Sequence, residues 1–76
     1  MTLYDFIALP EGGQAEATWQ GDFLMTRNEI GHTIALYKVD RFYVEVYYNK
    51  FTNEIDGFSP FSTKDKLALY FARQKN

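Results

Sequence analysis

The sequence predicts an α+β fold, a four-stranded antiparallel meander with N-terminal helices and one C-terminal helix. The stretch Arg41–Tyr48 alternates β-branched and aromatic residues at a period of two, which is typical of a strand with one buried face. Short apolar runs bounded by turn residues lie on both sides of this stretch. Helix-capping patterns stand at the start of the chain and after the last apolar run.

The composition is that of one small globular domain, residues 1–76. Hydrophobic residues make up 46% of the chain, which is enough for a core and too much for a disordered segment. The chain has no cysteine, which excludes disulfides and thiolate metal sites. It also lacks the long apolar run of a membrane span and the basic start of a signal peptide. We therefore expect a cytoplasmic protein with no membrane partner.

The N-terminal region predicts two short helices. Thr2 and Asp5 have the spacing of a capping box, and the first helix must end before Pro10 because proline cannot continue it. Pro10 is predicted in the first turn of the second helix, which Gly21 would end. Trp19, near the end of that helix, is predicted to be a core or hinge aromatic residue.

Four strands are predicted in the middle of the chain: Phe23–Arg27, Thr33–Val39, Arg41–Tyr48 and Ile55–Phe61. A two-residue turn at Asp40 and Arg41 would place Val39 opposite Phe42, and a slip by one residue would exchange the two faces of the sheet. In this register, Phe42, Val44 and Val46 form the buried face of the central strand. A bulge is predicted at Gly57, and the proline in the last strand confines that strand to an edge.

A second capping pattern, Ser62–Asp65, predicts a C-terminal helix that runs to about Arg73. Leu67, Tyr70 and Phe71 would share one face of this helix.

Several segments resemble a group of short bacterial proteins of about this length that have no assigned function. The segments are Thr2-Leu3-Tyr4-x-Phe6, Gln14-Ala15-Glu16-Ala17-x-Trp19, Phe42-Tyr43-Val44-Glu45-Val46-x-Tyr48, Asn53-Glu54-Ile55 and Phe61-Ser62-Thr63. The resemblance implies the same order of helices and strands and no particular activity.

No motif for catalysis or for binding a cofactor or metal is recognisable. His32 is the one histidine, and nothing in the spacing joins it to Ser59 or Ser62 and a carboxylate, as nucleophilic catalysis would require. We expect His32 to be an exposed turn residue. Asn53, Glu54 and Asp56 offer too few oxygen ligands for a calcium loop and are interpreted as turn residues. The sequence therefore predicts a protein that is not an enzyme and has no cofactor.

The predicted functional feature is an interaction surface on the second face of the sheet. If all helices cover the first face, the second face leaves an apolar patch with one charge at its centre: Ile34, Leu36, Tyr43, Glu45 and Tyr47. Glu45 could be a polar anchor within this patch or an ordinary outward residue paired with Lys38, and we favour the second interpretation.

The most favoured function is a non-catalytic protein-interaction module that binds another protein or itself through this aromatic face. The alternative is a single-stranded nucleic-acid-binding protein with Tyr43 and Tyr47 as its stacking platform. Nucleic acid is the less favoured partner because Lys38, Arg41 and Lys50 are few charges for phosphate neutralisation on a chain of net charge −2. A small enzyme is the third possibility.

Overall fold

The computed structural model describes residues 1–62, 66, 67 and 70. In this part of the chain, two helices precede a four-stranded antiparallel sheet whose strands lie in sequence order. The elements are α1 (Leu3–Ala8), α2 (Glu11–Trp19), β1 (Asp22–Glu29), β2 (His32–Val39), β3 (Phe42–Asn49) and β4 (Ile55–Phe61). The predicted α+β meander with N-terminal helices is confirmed, and the predicted C-terminal helix lies largely outside the described residues.

Helix α1 begins with the predicted capping box. The backbone N–H of Asp5 donates to the Thr2 hydroxyl at 3.1 Å, and the backbone N–H of Thr2 donates to the Asp5 carboxylate at 3.0 Å. Phe6 is fully buried, and its ring meets Phe42 edge to face with the centroids 5.6 Å apart. Leu3 packs against the same core, which anchors this short helix on the sheet.

Helix α2 begins one residue later than predicted, because Pro10 is its N-cap and not its first helical residue. Two hydrogen bonds fix the helix. The Gln14 side chain donates to the backbone carbonyl of Phe6 at 3.1 Å, and the buried Thr18 hydroxyl donates to the carbonyl of Gln14 at 2.8 Å. The first bond ties α2 to α1, so that the last turn of α2 lies over strands β2 and β4.

The register of the central hairpin is the predicted one. Val39 pairs with Phe42, and the partners of Val44 and Val46 are Tyr37 and Ala35. Asp40 adopts the left-handed conformation, with φ 52°, that a tight turn requires and that aspartate tolerates. Strand β4 has its predicted bounds and its predicted bulge, and the other strands differ by one or two residues at their ends.

Both faces of the sheet carry a buried core, and this differs from our expectation. Phe42, Val44 and Val46 are 3%, 0% and 0% exposed on the face that packs against α1 and α2, which we call the helix face. The opposite face, which we call the Glu45 face, carries a second core. The expectation that one face stays open is wrong because Leu67 and Tyr70 pack against it. Among the described residues, no helix is both long enough and apolar enough to cross a membrane.

Candidate interaction surface

The predicted interaction surface is the interior of the second core. Ile34, Leu36 and Glu45 are 0%, 1% and 0% exposed, and Tyr43 and Tyr47 are half-buried. Their predicted exposure is therefore wrong for the three central residues. The sequence placed all five correctly on one face, but it did not show which residues would cover that face.

The two tyrosines of this face are engaged within the molecule. Tyr43 stacks on Phe61, with ring centroids 5.5 Å apart and an interplanar angle of 22°. Tyr47 meets the His32 ring edge to face at 5.8 Å, and its hydroxyl donates to Glu45 at 3.4 Å. The pKa of Tyr47 is raised mainly by burial and, second, by the neighbouring Glu45 charge. These contacts occupy the rings that the nucleic-acid alternative requires for stacking.

Glu45 is the centre of a buried ionic cluster. Its carboxylate accepts hydrogen bonds from the Tyr70 hydroxyl at 2.8 Å, from the Arg27 guanidinium at 3.0 Å and from the Lys66 ammonium at 3.0 Å. Arg27 is 7% exposed and also pairs with Glu29. Our favoured interpretation of Glu45 as an outward residue paired with Lys38 is wrong, because Glu45 is fully buried and accepts hydrogen bonds from Arg27, Tyr47, Lys66 and Tyr70.

The donors decide the charge state of this cluster. Burial by itself would raise the pKa of Glu45, but hydrogen bonds from Tyr70, Lys66 and Arg27 outweigh it and lower that pKa. Burial would likewise lower the pKa of Arg27, yet its bonds to Glu29 and Glu45 raise it. The pKa of the Tyr70 hydroxyl is raised by burial and by its bond to Glu45. The carboxylate is thus ionised at neutral pH and holds Tyr70 and Lys66 against the sheet.

His32 is a strand residue and not the exposed turn residue that we expected. It begins β2, its side chain is 31% exposed, and its Nε2 atom lies 2.7 Å from the Asp56 carboxylate. Asn49 donates to the same carboxylate at 3.1 Å. The pKa of Asp56 is lowered mainly by its hydrogen bond with His32 and, second, by its hydrogen bond with Asn49. This arrangement links the ends of β2, β3 and β4.

A row of four aromatic rings lies on the helix face and remains partly open to solvent. Its order is Phe23, Tyr37, Trp19 and Phe58, and we call it the aromatic row. Successive ring centroids are 5.5, 5.5 and 5.9 Å apart, with interplanar angles of 67°, 62° and 62°. Each ring therefore meets its neighbour edge to face, a favourable geometry for aromatic pairs.

Three elements bring these rings together. Phe23 of β1 pairs directly with Tyr37 of β2, and Phe58 of β4 lies on the same face two strands further on. Trp19 ends α2 and reaches both Tyr37 and Phe58, because the buried Thr18 fixes the last helical turn on the sheet. The row thus depends on the sheet register and on the position of one helix end.

Two members of the row are accessible to solvent. Trp19 is 45% exposed and Phe23 is 55% exposed, so the prediction of Trp19 as a core residue holds only for part of its ring. Within the described residues, neither the Trp19 indole N–H nor the Tyr37 hydroxyl has a hydrogen-bond partner in the protein. Sequence reasoning missed this surface, although the alternation in β2 already placed Tyr37 on the face opposite Leu36.

Comparison with known proteins found no matching family model, no similar curated protein and no similar solved structure. The resemblance to short bacterial proteins therefore stays a prediction.

Proposed function

We propose that the protein is a non-catalytic interaction module that binds another protein through the aromatic row. The observation that carries this proposal is the half-exposed pair Trp19 and Phe23, which both contact the ring of Tyr37. Contiguous exposed aromatic surface is uncommon on a monomer and is typical of interfaces, where tryptophan and tyrosine are enriched. The predicted mode of binding, an aromatic surface of the sheet, is retained, but the surface is on the helix face.

The charges around the row favour a protein over an oligonucleotide. Glu16, one helical turn before Trp19, is an exposed carboxylate. A single-stranded nucleic acid needs protein cations along its phosphates, whereas the carboxylate of Glu16 would repel those phosphates.

The polar groups of the described residues support a non-catalytic role. The Ser59 hydroxyl accepts a hydrogen bond from the Lys66 ammonium at 3.4 Å, and that ammonium is paired with the Glu45 carboxylate. A serine nucleophile instead requires a neighbouring base that can take its proton.

The test compares capture of partner proteins from the source cell by three immobilised forms, namely the wild type, Phe23→Ser and Phe51→Ser. Phe51 is the matched control because it is 87% exposed in the β3–β4 loop and outside the row. We expect at least one protein that wild type and Phe51→Ser retain and that Phe23→Ser loses about tenfold or more, which corresponds to about 1.4 kcal/mol.

Self-association that Phe23→Ser removes, measured by sedimentation, would identify the partner as a second copy of the chain. Equal capture by all three forms would contradict the proposal. So would salt-sensitive retention of single-stranded DNA that depends on Phe23. Circular dichroism of each variant checks that the fold is intact.

A further inference from the structure

We infer that the ligand of the aromatic row is a proline-rich segment in the polyproline II conformation, flanked by a basic residue. This inference rests on the proposed function and names the class of partner. Polyproline II segments bind to protein surfaces lined by aromatic side chains, and their preformed backbone lowers the entropic cost of binding.

The ring geometry provides the first argument. Adjacent planes in the aromatic row differ by 62–67°, so that ring faces and ring edges alternate along the row. A polyproline II segment rises about 3.1 Å per residue, so two residues advance roughly 6 Å. The ring centroids are 5.5–5.9 Å apart. The spacing of the rings thus matches the advance of two residues of the ligand.

The free donors provide the second argument. The polyproline II backbone makes no internal hydrogen bonds, and proline carbonyls are acceptors with no accompanying N–H. The Trp19 indole N–H and the Tyr37 hydroxyl lack protein partners in the described part of the chain, and both belong to central rings of the row. They can donate to successive carbonyls while their rings contact the pyrrolidine rings.

The charge at the row provides the third argument. Glu16, one helical turn before Trp19, is exposed and forms no ion pair with another described residue. A basic side chain at one end of the ligand would therefore gain a charge partner. This requirement distinguishes the proposed ligand from an uncharged apolar peptide.

The experiment titrates the protein with an oligoproline peptide of about ten residues that carries one terminal arginine. The control peptide has the same arginine on a glycine-serine chain of equal length, which is flexible and lacks the polyproline II conformation. Trp19 is the one tryptophan of the chain, so its fluorescence reports directly on the row. We expect a saturable shift with a dissociation constant below about 1 mM for the proline peptide only.

Variants followed by amide NMR shifts separate the row from the rest of the surface. Trp19→Phe keeps a ring but removes the donor, and Phe23→Ser removes an outer ring. We expect each to weaken binding about tenfold, whereas Phe51→Ser binds like the wild type. A peptide with glutamate in place of arginine should bind more weakly.

Three results would overturn the inference: no saturable shift, equal binding of the glycine-serine peptide, or equal binding by Phe23→Ser. If protein capture depends on Phe23 but the proline peptide does not bind, the ligand class is wrong and the proposed function stands. If neither capture nor peptide binding depends on the row, both proposals fail.

Discussion

At the scale of single residues, Glu45 shows how a charge can lie in a small core. Removing a carboxylate from water is costly, and the cost is offset only when donors satisfy its oxygens. Arg27, Lys66 and Tyr70 supply these donors, and every buried polar side-chain atom among the described residues has a partner. The cluster specifies how Tyr70 lies on the sheet, since an apolar contact alone would not fix its orientation.

Replacing Glu45 by alanine should destabilise the domain strongly. The buried Arg27 guanidinium would lose its main partner in the core, and breaking a buried pair from one side costs about 3–5 kcal/mol. Urea denaturation at neutral pH measures the change. The matched control is Glu54→Ala, because Glu54 is an exposed loop residue whose substitution should change the free energy of unfolding by less than about 0.5 kcal/mol.

Wild type and Glu45→Ala also test whether Glu45 is charged in the folded protein. The pKa of Glu45 is lower in the folded state than in the unfolded chain. Its contribution is therefore complete above the unfolded pKa of about 4.3 and is lost as the pH falls through the folded pKa. The difference in stability between wild type and Glu45→Ala should be constant near neutrality and shrink below about pH 4. A difference that is independent of pH would contradict an ionic role.

At the scale of elements, the junction between α2 and β1 sets the position of the aromatic row. Gly21 does not end the helix by a left-handed conformation, since Gly31 is the described glycine with a positive φ. Its role is close approach. A Cβ atom at Gly21 would lie 2.4 Å from the backbone carbonyl oxygen of Lys38 and 3.0 Å from a methyl group of Val39. Glycine thus allows the chain to pass close to β2, so that Phe23 lies beside Tyr37.

Two glycine-to-alanine substitutions should have opposite effects on stability. Gly21→Ala must displace the backbone of β2, and overpacking of this kind costs about 1–3 kcal/mol. Gly12→Ala adds a methyl group with nothing within 4 Å inside α2, where alanine is favoured by about 1 kcal/mol. Thermal unfolding followed by circular dichroism measures both changes. Stabilisation by Gly21→Ala would show that the junction is less tightly packed than the structure has it.

At the scale of the whole molecule, the sheet is the middle layer between two cores. The helix-face core contains Phe6 and Val44, and the second core contains Leu36, Phe61 and Tyr70. A chain of this size buries only about 60% of its unfolded surface. The two thin cores lie on opposite faces of one sheet, so that the same strands contribute buried side chains to both.

If both layers contribute to stability, Leu36→Ala should cost about 2–5 kcal/mol, the usual range for a buried leucine. If the second face of the sheet were open, Leu36→Ala would instead change the free energy of unfolding only slightly. Ile30→Ala is the control, because Ile30 is fully exposed in the β1–β2 turn and its loss should change stability by less than about 0.5 kcal/mol. The measurement is the urea midpoint at constant m-value. Equal and small effects of the two substitutions would mean that the second core adds nothing.

The sequence alone determined the local structure, because local structure depends on local chemistry. The hydroxyl and carboxylate of Thr2 and Asp5 predicted the cap of α1, and the two-residue turn at Asp40 and Arg41 predicted the pairing of Val39 with Phe42. Period-two patterns also assigned residues 34–39 and 42–48 of the central hairpin to their faces. These signals act over a few residues and require no knowledge of distant contacts.

The tertiary structure alone decided which faces are open. Whether Glu45 and Leu36 lie inside depends on Tyr70, which is 25 residues from Glu45 in the chain. Whether Trp19 is exposed depends on where α2 crosses the sheet, which follows from the close approach at Gly21. Whether a side chain is buried depends on which element covers it. The periodicity of the sequence shows which residues share a face, but it does not show what packs against that face. For this reason the predicted surface proved to be core, and the candidate binding surface was found on the other face.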